Sequence, residues 1–182
     1  MFDETSHLIH QEPRSLALIR AAMANTDKRI AEDKPVTPAF ILAALLWPVA
    51  SRGASELESR GDSPMVAIHS AAQQTIAEAS AQLSIPRRFS QPMREIWEFQ
   101  LRLQRRQGKK AAQLVEHRRF RAAYDFLLLR EQAGEETDDL GAWWTEFQTL
   151  NMDQRIEQAA NAPAGKYGRR QRPRKRRNPK QA

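Results

Sequence analysis

Between Arg94 and Arg130 the chain reads REIWEFQLRLQRRQGKKAAQLVEHRRFRAAYDFLLLR, where apolar residues at helical spacing alternate with clusters of Lys and Arg. Arg102, Arg105, Arg106, Lys109, Lys110, Arg118, Arg119 and Arg121 form a nearly acid-free cluster that brackets Gly108. A second run closes the chain and includes Lys166, Arg169, Arg170, Arg172, Arg174, Lys175, Arg176 and Arg177. The chemistry of such residues is polyanion binding. Each phosphate neutralised by Lys or Arg releases condensed counterions, and contacts of this kind position a nucleic acid without reading its bases.

The charge is segregated along the chain. Residues 1–85 hold 7 basic and 10 acidic side chains, residues 86–130 hold 12 and 4, residues 131–165 hold 1 and 8, and residues 166–182 hold 9 and 0. Two basic blocks therefore bracket an acidic one, a pattern that the net charge of +7 conceals. Anionic lipid is a competing partner for basic clusters. The longest apolar run, from Ala39, is interrupted by Pro48 and falls short of the roughly 20 residues that span a bilayer, so no membrane insertion is expected. No basic segment precedes an apolar stretch at Met1, which argues against a secretory signal.

Few groups suit covalent or metal chemistry. Cysteine is absent, which excludes disulfides and thiolate metal sites and fits a reducing compartment. His7 and His10 read as solvated polar residues, and His117 as a positioning or phosphate-facing residue with no nucleophile spaced to partner it. No phosphate-cradling glycine loop of the Walker or dinucleotide type occurs among the 7 glycines. No metal site is expected.

As a whole string, with ArgArgGlnGlyLysLys at 105–110, GluHis at 116–117 and PheArgAlaAlaTyrAsp at 120–125, the chain resembles the C-terminal half of bacterial poly(A) polymerases. The resemblance extends to TrpTrp at 143–144, GluPhe at 146–147 and the Arg-rich end. It implies an RNA-binding body and tail from a family that adds poly(A) to RNA 3′ ends and so promotes RNA processing and decay. In that family ATP and Mg2+ are used by a catalytic head that precedes this region, and the chain is expected to begin after it. Nucleotidyl transfer needs carboxylates holding two metal ions. The family's Asp-x-Asp pair after a GlySer turn has no counterpart here, and ArgArgPhe at 87–89 and 118–120 lacks the Asp of the head motif it resembles. No activity in isolation and no cofactor in this chain are therefore expected. Two alternatives stand beside an RNA-binding module: half of a split adenylyltransferase needing a separately encoded head, and an interaction platform for RNA-decay proteins. The resemblance implies single-stranded RNA as partner and the cytoplasm as compartment.

The elements that must position these residues read as helices. Ala, Leu, Glu, Gln and Arg dominate and no period-2 strand pattern persists, so an all-α domain with a disordered basic C-terminal tail is expected. Residues 1–85 resemble the family's neck and body, 86–160 form the basic RNA-binding region of the same domain, and 161–182 form the tail. A helix is expected over 15–30, with Leu16, Ile19, Arg20 and Met23 as its stripe. ThrPro at 37–38 and SerPro at 63–64 open two more, Pro48 should kink or end the first, and IlePro at 85–86 closes the second. Phe40, Ile41, Ala44 and Leu45 give the first its stripe, and Val66, Ala67, Ser70, Ala71, Gln74, Ala77 and Ala81 give the second a small-residue face. Met93, Ile96, Trp97 and Leu101 mark a core-facing helix that carries Arg94, Arg102 and Arg105 on one side and stops at Gly108. A short helix over 109–116, a longer one ending near Gly134 and one over 140–150 follow, and Trp143, Trp144 and Phe147 read as core. GluGluThrAspAsp at 135–139 reads as a solvated loop, or one that folds against a basic patch.

Overall fold

The computed structural model describes residues 3–163, with side chains from Arg14 onward; among them are eight α-helices and no strand. These are α1 (Asp3–Ala31), α2 (Pro38–Ser59), α3 (Pro64–Leu83), α4 (Arg87–Leu103), α5 (Lys109–Leu114), α6 (Phe120–Gln132), α7 (Leu140–Phe147) and α8 (Met152–Asn161). The all-α expectation holds. No described helix is long and apolar enough to cross a membrane.

Two apolar clusters organise the helices, and α4 and α6 contribute to both. The first joins α1, α2 and α3 to Met93, Ile96 and Trp97 of α4 and to Phe126 and Leu129 of α6. It is built largely from alanine, with Ala39, Ala43, Ala44, Ala67 and Ala72 fully buried. Small residues let α2 and α3 approach closely. A Cβ on Gly53 would lie only 3.3 Å from the Ala71 Cβ. The second cluster is aromatic and gathers Phe99 and Leu103 of α4, Phe120 and Tyr124 of α6, Trp144 and Phe147 of α7, and Ala111, Ala112 and Ala159 of α5 and α8. Buried indoles pin each cluster to backbone: Trp97 donates to the Ala43 carbonyl at 3.1 Å and Trp144 to the Leu103 carbonyl at 2.9 Å.

Several expectations are corrected by packing. Pro48 does not end α2, which runs on to Ser59 with Ala50 and Ala54 buried beyond the proline. The buried stripe of α1 is Leu18, Ala21, Ala22 and Thr26, while Leu16 and Met23 face solvent. On α2 Leu45 is exposed and the alanines are buried, and on α3 Val66, Ser70, Gln74, Ala77 and Ala81 face outward beside buried Ala67 and Ala71. On α2 the small alanines turn inward, whereas on α3 the buried face adds Ile68 and Ile76 to the alanines. Thr37 and Ser63 precede their helices as expected, yet neither hydroxyl makes a capping hydrogen bond.

Helix α4 ends at Leu103, earlier than a stop at Gly108 would place it, so Arg105 and Arg106 lie outside its last turn. The Leu103 carbonyl accepts the Trp144 indole, and the chain leaves the helix there. Gly108 instead precedes α5 with φ 77°, a conformation glycine adopts without strain.

Candidate nucleic-acid interface

Five residues without helical structure or at a helix start, Arg105 to Lys109, join α4 to α5, and their position is fixed from two sides. Trp144 holds the end of α4, and α8 holds the loop itself: Gln107 donates to the Ala162 carbonyl at 2.7 Å and the Gly108 N–H donates to the Ala159 carbonyl at 3.0 Å. Buried Ala111, Ala112 and Ala159 let α5 and α8 pack closely behind it. Helix α8 is the one described helix with a complete capping box, in which Asn151 and Gln154 exchange side-chain and backbone hydrogen bonds. Arg155 ties it down further through the Phe147 and Gln148 carbonyls and Glu116.

On this support Arg102, Arg105, Lys109 and Lys110 are exposed, and among the described residues none has a carboxylate within ion-pairing distance. Arg102 lies over the Phe99 ring, 5.4 Å from its centroid, which steadies the guanidinium without neutralising it. Arg106 is half-buried and donates weakly to the Asp138 carbonyl at 3.3 Å.

The other half of the sequence cluster is paired, three guanidinium groups with two carboxylates. Arg118 and Arg119 share Glu95 of α4, the first at 3.2 Å, and Arg121 pairs with Asp125 at 2.9 Å. The acid-free appearance of the cluster is therefore corrected, since Glu95 arrives from 23 residues upstream. Burial pushes the Glu95 carboxyl up, but hydrogen bonds from Arg119 and Gln91 and the charges of Arg119 and Arg118 outweigh it and hold the group below its ordinary 4.5. His117 acts in positioning: its Nδ1 accepts the Arg119 N–H at 3.1 Å, and its ring packs on Phe99.

Trp144 and Phe147 are fully buried and Trp143 stacks on Phe147 with centroids 4.2 Å apart, so these aromatics are core. The 135–139 segment is held at both ends, by the pair between Glu135 and buried Arg130 and by the Arg106 contact to Asp138. Its expected solvation is thus only partial. No group of three or more potential metal ligands occurs among the described residues. The side chains of His7 and His10, and all of Lys166, Arg169, Arg170, Arg172, Arg174, Lys175, Arg176 and Arg177, lie outside the described residues.

The sequence profile of the polymerase A arginine-rich C-terminus matches residues 60–179, which includes α3 to α8 and the basic end. The chain belongs to this family. It is 38% identical over 165 residues to the poly(A) polymerase I of Salmonella typhi, an alignment covering 87% of this chain and 35% of that protein. It is 41% identical over 134 residues to the enzyme of the same name from Escherichia coli O157:H7, covering 72% and 29%, and 34% identical over 140 residues to that of Haemophilus influenzae, covering 76% and 31%. The chain thus spans about a third of the length of these relatives.

Two parts of this arginine-rich C-terminus escaped the sequence reading. Helix α8, with Arg155, was not anticipated, although Asn151 and Gln154 stand at capping-box spacing. Gln107, whose amide joins the 105–108 loop to Ala162, carries no sequence signal of its own because its partner is a backbone carbonyl 55 residues away.

Proposed function

We propose that this chain is the RNA-holding helical region of a poly(A) polymerase and grips single-stranded RNA through its phosphates. The gripping groups are Arg102, Arg105, Lys109, Lys110 and the basic residues from Lys166 to Arg177, with Arg106 at the edge of the patch. The observation that carries this reading is that Arg102, Arg105, Lys109 and Lys110 stand exposed, with no carboxylate at ion-pairing distance among the described residues, around a loop that Gln107 ties to the Ala162 carbonyl.

Stability does not explain the two exposed lysines. Lys109 and Lys110 occupy the first turn of α5, where the helix dipole offers a cation nothing, and none of the four patch residues has an ionic partner among the described residues. Phosphate is the complement such a surface lacks. The chain itself supplies no phosphoryl chemistry in this reading. Transfer of an adenylyl group needs metal-holding carboxylates, whereas Glu32 pairs with Lys34 and Glu135 with Arg130. The family role, ATP-dependent addition of poly(A), then belongs to the polymerase as a whole.

Filter binding of a single-stranded oligoribonucleotide between about 50 and 200 mM salt tests the proposal. Single strands give a slope of roughly −0.7 per neutralised phosphate, so deleting residues 166–182 should flatten the slope by up to about 6 and replacing Arg102, Arg105, Lys109 and Lys110 with Ala by about 3. A tail-less protein that binds RNA no better than its four-Ala version would reduce the patch to a solvated surface. With ATP, magnesium and an RNA primer, the chain alone should leave primer length unchanged; template-independent extension that tracks with the purified chain would contradict this.

A further inference from the structure

A cleft of about 1360 Å3 opens beside the patch, between α1 and the second half of α2 on one side and the end of α4, Arg106 and the 135–138 segment on the other. Its volume exceeds the roughly 300–1,000 Å3 of a site for one small ligand. Four arginines and five carboxylates stand among its lining residues, and one of those arginines, Arg130, is already paired with Glu135. A wall so balanced gives phosphate no electrostatic gain. It suits the neutral part of a nucleotide.

Polar groups in the wall lack partners. Gln104 Oε1 and Arg106 Nε are shielded from solvent and make no hydrogen bond, and both residues line the cleft. Leaving such groups unpaired is costly, which makes them the natural point of attachment for an occupant. One is an acceptor and the other a donor, a combination complementary to the hydrogen-bonding edge of a nucleobase. Both residues are only half-buried and both line the cleft, although the two unpaired atoms themselves are covered. Across from them Ser51, Ser55 and Ser59 lie at i, i+4 and i+8 on α2 and line the same cleft. The Ser51 and Ser59 hydroxyls donate back to the Pro48 and Glu56 carbonyls, so their oxygens remain as acceptors, the counterpart of a ribose 2′-hydroxyl.

Arg106 belongs to both features. It follows Arg105 of the patch and lines the cleft. We propose that the cleft takes the bases and sugars of a short run of single-stranded RNA whose phosphates lie on Arg102, Arg105, Lys109 and Lys110, with Gln104 and Arg106 bonding a base edge. This deepens the RNA-holding reading and rests on it for the path of the strand.

The test uses the full chain and two oligoribonucleotides of equal length and phosphate count, one all adenosine and one with abasic residues in its middle. Wild type should bind the base-bearing strand about tenfold more tightly, the worth of a shielded hydrogen-bonded edge, with the same salt slope for both. Gln104→Leu should erase that preference, and so should Arg106→Lys, which keeps the charge and removes Nε; circular dichroism confirms that each variant is folded. Equal binding of the two strands by wild type, or a preference that survives both substitutions, overturns the proposal. If the four-Ala patch variant keeps the full salt slope while the base preference persists and depends on Gln104, the surface reading fails and the cleft stands.

Discussion

The stretch from Arg102 to Lys110 and the stretch from Arg118 to Arg121 carry the same kind of charge at similar density, and folding treats them differently. The first is lifted onto a loop that Trp144 and α8 fix in place, and its exposed cations meet no carboxylate among the described residues. The second is laid against α4, where Glu95 takes two guanidinium groups, and on α6, where Asp125 takes the third. Charge density along a sequence thus differs from charge available to a ligand. The difference is set by acids that arrive through the fold. Arg118 and Arg119 act as a staple between α4 and the start of α6, and Arg102, Arg105, Lys109 and Lys110 are left to act outward.

The largest expected effect comes from removing what keeps the two stretches apart. Trp144 is fully buried and its indole holds the Leu103 carbonyl where α4 stops. Trp144→Ala should lower stability by about 3–5 kcal/mol in urea unfolding, the usual cost of emptying an aromatic core position. Trp144→Phe keeps most of the packing and strands the Leu103 carbonyl, for about 1–3 kcal/mol. An unchanged unfolding midpoint for Trp144→Ala would show that the aromatic cluster does not set the loop.

A smaller effect sharpens the contrast between the stretches directly. In protein lacking residues 166–182, replacing Arg102, Arg105, Lys109 and Lys110 with Ala should remove about 3 units of salt slope and leave stability nearly unchanged. Replacing Arg118, Arg119 and Arg121 should remove less than about 1 unit, because two carboxylates already offset two of the three charges. It should also cost on the order of 1 kcal/mol, as partly exposed pairs do. Equal slopes for the two variants would mean that Glu95 and Asp125 yield to phosphate and that the distinction drawn from the fold has no functional content.

Much of this was legible in the sequence, and the gaps have identifiable causes. The ThrPro and SerPro starts place α2 and α3 because proline at the first helical position is a local signal. The Met93, Ile96 and Trp97 stripe survives because a single wide apolar face leaves no ambiguity. On α1 periodicity points to the wrong face, and on α2 it is right for Ala44 and Phe40 but not for Leu45: the buried face is decided by how closely a neighbouring helix approaches, as at Gly53 and Ala71. The end of α4 was misplaced because its cause, Trp144, lies 41 residues downstream. The basic residues of the patch were named from sequence, but their division into free and paired groups was not, since Glu95 carries no mark of where its side chain will be used. Gln107 and α8 show the same limit. They matter through contacts with backbone atoms that no side-chain pattern announces.

The smallest expected effect turns one stretch into the other. Glu95→Gln keeps the shape of the side chain and removes its charge, so Arg118 and Arg119 are released while their positions on the fold remain. RNA affinity should rise, with the salt slope steeper by about 0.7 for the one charge that Glu95 offsets. Stability should fall by on the order of 1 kcal/mol. The sign with pH follows from the lowered carboxyl of Glu95: its contribution is complete above the ordinary value of 4.5 and is lost as pH falls through the lower value it has in the folded chain. Urea midpoints measured from about pH 6 downward should therefore converge for wild type and Glu95→Gln once pH has fallen below the lowered value of Glu95, because protonation makes the two side chains equivalent. The gain in RNA affinity should vanish over the same interval. A variant that binds RNA no better than wild type near pH 6 would show that releasing Arg118 and Arg119 adds nothing, and that only the loop fixed by Trp144 and α8 faces the nucleic acid.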